Sequence, residues 1–134
     1  MKKFDPYLRG QEIINFLKGI EAPHLNQEVV CQKLKITPTD LTDLRGRHQI
    51  VFWTEENGEY TYPSWQFNDE GLFLDGIQDI LQVFCVDDTW RIVSYFLMPR
   101  FQLQDHTPLS LLRGKENRAE VIAHAKRHCE ENTW

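Results

Sequence analysis

The sequence predicts a mainly α-helical fold with one β-hairpin, an α+β arrangement. A winged-helix-like N-terminal lobe is followed by a helical C-terminal lobe. Three observations predict it. Apolar residues recur at helical spacing through most of the chain. One Asn57-Gly58 dipeptide lies between two strand-forming runs, "IVFWTEE" and "EYTYP", the strongest short hairpin signal because both central residues need positive φ. Cap residues and prolines punctuate the remainder into short helices. The lobes are expected at 1–63, with the hairpin at 50–63, and at 64–134.

The elements follow in order. "GQEIINFLKGI" places Ile13, Phe16, Leu17 and Ile20 on one helical face, and Pro23 ends it. "LNQEVVCQKLKI" reads as a second helix with Asn26 as N-cap and Val30, Cys31 and Leu34 inward. In "ITPTDLTDLRGR" Thr37 caps, Pro38 takes the first helical position and Asp40 completes a capping box, with Ile36 and Leu41 placed as a hydrophobic staple. Gly46 is the expected stop. These two helices make a helix-turn-helix. A two-residue loop at Asn57-Gly58 then pairs Thr54 with Thr61 and Trp53 with Tyr62, two rings on one face. The segment "TYPSWQF" joins the hairpin to the C-terminal helices, so Tyr62, Trp65 and Phe67 are expected to fill the seam.

Asn68 to Gly71 reads as a turn. Asp75 is the expected cap of a helix that buries Ile77, Ile80, Leu81 and Phe84. Asp88 caps the next, with Trp90, Val93 and Leu97 as its stripe and Pro99 as its stop. Thr107 caps "PLSLLRG", with Pro108 first and Gly114 last. The final helix, "KENRAEVIAHAKRHCEEN", turns Val121, Ile122, Ala125 and Cys129 inward.

Composition bounds the function. A length of 134 residues suits one compact domain or two small lobes sharing a core. No apolar run approaches a membrane span. "MKKFDPYLRG" has no apolar core after its lysines and does not read as a secretory signal. Three scattered cysteines, Cys31, Cys85 and Cys129, fit a reducing cytoplasm better than a disulfide framework. The net charge of −5 opposes nucleic-acid binding except through a local basic patch.

No chemistry-bearing motif stands out, and no cofactor or metal is expected. His124 and His128 have the i, i+4 spacing of a metal pair but lack a third ligand; Cys129 is turned about 100° from His128. The expected alternative is a solvated face shared with Lys126 and Arg127. A small enzyme built on His106 or His124 would need partners that the sequence does not supply. The helix-turn-helix offers Thr39, Thr42, Arg45, Arg47 and His48 as DNA contacts, against Asp40 and Asp43, which repel phosphates.

From Tyr62 onward a set of residues resembles a known family. Tyr62-Pro63, Trp65-Gln66-Phe67, the helix start Gly76 to Leu81, Trp90, "FLMP" at Phe96 to Pro99, Leu103, Thr107-Pro108-Leu109 and Leu112 occur in an order similar to the toxin-binding region of the Xre/MbcA/ParS group of bacterial antitoxins. The likeness covers roughly residues 60–128. Many members carry a "TPN" turn and a glycine before "TP", where this chain has Met98-Pro99-Arg100 and Asp105-His106. The resemblance implies a non-enzymatic protein that binds and silences a toxin, commonly of the NAD-destroying RES class, and that regulates its own operon. The partner surface is then expected at Phe101, Leu103, Thr107, Pro108, Leu109 and Leu112, with Trp134 as an aromatic anchor. The alternative is a DNA-binding regulator with no toxin, acting on operator DNA. A homodimer is expected, because a single small helix-turn-helix holds DNA weakly.

Overall fold

Seven helices and one two-stranded hairpin make up the computed structural model, which describes residues 6–84, 88–114 and 117–131. The helices are α1 (Pro6–Gly19), α2 (Gln27–Leu34), α3 (Pro38–Gly46), α4 (Ile77–Val83), α5 (Thr89–Leu97), α6 (Pro108–Arg113) and α7 (Arg118–Glu131). The antiparallel strands are β1 (Trp53–Thr54) and β2 (Tyr60–Thr61). Single 3-10 turns lie at Ser64–Gln66 and Phe101–Leu103. Among the described residues no helix is long and apolar enough to cross a membrane.

Most starts are set by the expected caps. Asn26 accepts from Val29 N–H, Asp88 from Trp90 and Arg91, and Thr107 from Ser110. The Thr37–Asp40 capping box is closed both ways at 3.1 Å. α4 differs. Its cap position is Gly76, with no side-chain cap bond, and Asp75 instead lies 3.6 Å from Arg118. The left-handed Gly76, at φ +97°, takes the cap position and leaves Asp75 one residue before it.

The hairpin is shifted by one residue. Trp53 pairs with Thr61 and Thr54 with Tyr60, and Glu55 N–H donates to Glu59 O at 2.8 Å. The loop is therefore Glu56-Asn57-Gly58, with Gly58 alone among them at positive φ (+87°), the three-residue turn that ends in a left-handed glycine. A slip of one turns side chains over. Trp53 thus leaves Tyr62 and packs on Trp90 and His24, with centroids 5.1 and 5.2 Å away. Tyr62 bridges to Leu25, exchanging two backbone bonds of 2.9 Å. Glu55 anchors the hairpin base: it accepts from Trp53 Nε1 at 2.6 Å and Thr61 Oγ1 at 3.0 Å, and pairs with Lys18. Burial alone would raise its pKa, but those three partners together hold it below the ordinary value.

Two apolar clusters form the interior. The smaller holds Val30, Leu41, Ile50 and Tyr62. The larger gathers α4 to α7 but also takes Leu17 of α1 and Val51 and Trp53 of the hairpin region. The segment "TYPSWQF" sits between them: Tyr62 in the first, Trp65 in the second, and half-buried Phe67 against Phe73 at 5.2 Å. On α1, Leu17 is buried, but Ile13 and Phe16 are 50% and 60% exposed. The expected apolar face of Ile13, Phe16, Leu17 and Ile20 is thus half used.

α7 carries another correction. His124 is buried, and its Nδ1 lies 2.8 Å from the Tyr95 hydroxyl. The face expected to be solvated thus pins α7 to α5 through a buried hydrogen bond. Val121 and Ala125 are buried as expected, and Ile122 and Cys129 pack at the edge. Cys85 and Trp134 fall outside the described residues.

Candidate functional site

The first surface is α3 with the hairpin as its wing. Thr39, Thr42, Arg47 and His48 are exposed there. Arg45 is committed elsewhere. Its Nη1 donates to Tyr62 Oη at 2.6 Å and to Gln27 Oε1 at 3.4 Å, its Nη2 to Thr42 Oγ1 at 3.1 Å, and its guanidinium lies 4.0 Å over the Tyr60 ring. It ties α2, α3 and the hairpin together and is not presented to a ligand. Burial pushes the Tyr62 phenol up, with the Arg45 bond working against it. Arg47 pairs with Asp43 at 3.1 Å. Exposed Asp40, Glu56 and Glu59 complete this face. Its mixed charge disfavours a phosphate backbone.

The second surface is the loop between α5 and α6. It is tightly bonded: Arg100 N–H donates to His106 O (3.0 Å), Asp105 N–H to Arg100 O (2.9 Å), Leu103 N–H to Arg100 O (3.0 Å), Gln104 N–H to Phe101 O (3.0 Å) and His106 N–H to Leu103 O (3.1 Å). Gln104 and Asp105 are held left-handed, at φ 56° and 63°, a conformation that non-glycine residues keep only where neighbours over-determine it. Leu103 is buried, and so are Pro108, Leu109 and Leu112. Of the residues expected to meet a partner, these four face the chain's own core and serve as the footing of the surface. Thr107 is half-buried as the α6 cap. Phe101 stands out at 85% exposure, with Met98 37% exposed nearby in sequence.

Sequence reasoning gave Arg100 no role of its own. Its Nη2 donates to Ser94 O at 3.0 Å, its guanidinium lies 5.1 Å from the Tyr95 ring, and its Nε is buried without a partner. The available signal was a lone arginine between apolar neighbours in "FLMPRF". Behind it stand His124 and His128, with ring centroids 6.2 Å apart. Burial pushes both imidazoles below their ordinary pKa, assisted first by Arg127 for His124 and by Arg100 for His128, with Glu131 opposing. Among the described residues no group of three His, Cys, Asp or Glu gathers as metal ligands.

This arrangement fixes a pH response. A histidine depressed in the folded state is protonated first in the unfolded chain. Both states are neutral above about pH 6.5, where its contribution is complete, and stability falls as pH drops below that value toward the folded pKa. The urea midpoint is expected to fall between about pH 7 and pH 5.5. His128→Gln should flatten part of that slope and leave the part due to His124; an unchanged slope would remove His128 as a contributor.

No family model matches the chain, and no curated protein does. Among solved structures it is similar to the NMR structure of Rv2175c, with a TM-score of 0.66 and 15% identity, over 96% of this chain and 86% of that one. At that identity the likeness is one of fold.

Proposed function

We propose that the protein is a non-enzymatic, antitoxin-like interaction protein that binds and neutralises a protein toxin through its C-terminal lobe, as the family resemblance implies. One observation carries this reading: Phe101 is 85% exposed on a loop whose backbone is held by five hydrogen bonds. A large apolar side chain costs free energy in water. A rigid loop recovers that cost on docking without a further ordering penalty. The RES class is the expected toxin.

The test is capture of partners from native lysate, nuclease-treated, with wild type and Phe101→Ala compared. Wild type should retain a stoichiometric small protein. Truncating a central aromatic anchor costs about 2 kcal/mol, some thirtyfold in affinity, so the variant should lose it. Equal capture by both proteins would defeat the reading.

The α2–α3–hairpin arrangement favours a second reading, a DNA-binding regulator acting without a toxin partner. It requires steep salt dependence and loss of binding on Arg47→Glu. Arg45 is unsuitable for that test, because its substitution would loosen the lobe itself.

A further inference from the structure

We propose that the partner of the Phe101 loop is acidic: it offers an apolar socket for the ring with an Asp or Glu carboxylate beside it that pairs with Arg100. This rests on the reading of the loop as a docking surface and adds the chemistry of what docks.

The warrant is an incomplete charge. Arg100 is half-buried, and among the described residues no carboxylate lies within ion-pair distance of it. Its one hydrogen bond is to a neutral carbonyl, and its Nε is buried and unpaired. A guanidinium withdrawn from water without a counter-ion is unfavourable and calls for an anion. Its surroundings deepen that demand. Arg100 and Arg127 both act on His124, and Arg100 acts on His128 as well, with Glu131 opposing at each histidine. Exposed Asp105 shares the loop but makes no ion pair with Arg100. The unpaired cation stands on a chain of net charge −5, and it directly precedes Phe101, the most exposed large apolar residue among those described. Apolar anchor and unpaired guanidinium on consecutive residues fit one acidic, apolar-rimmed cleft. A free anion would satisfy Arg100 and leave Phe101 in water.

The test is selection of a displayed library of small folded scaffolds with one randomised face on the wild-type protein, with counter-selection on Phe101→Ala. Binders sensitive to Phe101 should be enriched in Asp and Glu. Converting the enriched carboxylate to its amide on the binder, which leaves this protein untouched, should weaken binding about tenfold, the value of one charge-assisted bond. Arg100→Lys should retain part of the affinity and Arg100→Gln little of it, each checked for folding by thermal melt. Phe101-sensitive binders with no acidic preference would overturn the acidic partner while leaving the docking surface standing. A selection that yields no Phe101-sensitive binder would overturn both.

Discussion

Replacing Gln66 with leucine is expected to destabilise the protein by about 3 kcal/mol, because one side chain serves three buried backbone groups. Gln66 is fully buried. Its Oε1 accepts from Val51 N–H at 2.8 Å, and its Nε2 donates to Val51 O at 2.8 Å and to Pro63 O at 3.2 Å. The amide acts as a short strand, pairing with Val51 just before β1. Leucine has the volume but leaves an N–H and two carbonyls without partners in the core, at roughly 1–3 kcal/mol for each stranded group. Part of that loss is returned by the greater apolarity of leucine. Gln66→Glu keeps the acceptor, loses the donor and adds a charge, so it should be worse still. Urea unfolding checks both: the midpoint should fall with the slope unchanged. A Gln66→Leu midpoint within error of wild type would mean that Val51 finds other partners, and that the amide merely fills space.

Gln66 also shows what the sequence could and could not reveal. "WQF" was legible as a seam, and the rings on either side of the glutamine do fill it. A polar residue between two large rings reads as exposed by alternation, yet here it is the most enclosed polar side chain described. Its partner, fifteen positions away, carries no sequence mark. Caps were legible because they are local: Asn26, Thr37, Asp88 and Thr107 each act within three residues. Asp75 was misread by one position, because the left-handed turn at Gly76 starts α4 a residue later. The hairpin was legible, but its register was not. Asn-Gly serves a two- and a three-residue loop alike, and Leu25 fixed the outcome by claiming Tyr62. At the candidate site Phe101 was visible as an apolar residue in a loop, whereas the inward turn of Leu103, Pro108, Leu109 and Leu112 depended on the packing of α6 against α5 and α7. Arg45 looked like a DNA contact because a basic residue on a second helix suggests one; Tyr60 and Tyr62, which claim it, lie beyond the hairpin turn.

The second large effect is expected at Gly76, where alanine should cost about 3 kcal/mol. Two independent causes add. The residue sits at φ +97°, in the region where a Cβ meets its own backbone, at about 1–2 kcal/mol. A Cβ there would also stand 2.7 Å from Leu112 Cδ2. Leu112 is fully buried and cannot swing away, so either its rotamer strains or α6 shifts, for about 1–3 kcal/mol more. The causes separate in a double-mutant cycle. Leu112→Ala is destabilising by itself, since it leaves a cavity, but it removes the clash and leaves the backbone strain. Gly76→Ala should therefore cost about 1–2 kcal/mol less in the Leu112→Ala background than in wild type. Equal cost in both backgrounds would assign the whole effect to the backbone. The site bears on function because α6 begins at Thr107–Pro108, directly after the Phe101 loop, and Leu112 is its most enclosed residue. A shift of α6 would move the downstream end of the loop that holds Phe101. Gly76 thus lets α4 approach Leu112 of α6, and under the proposed docking role Gly76→Ala should weaken partner binding as well as stability, by displacing the end of the Phe101 loop.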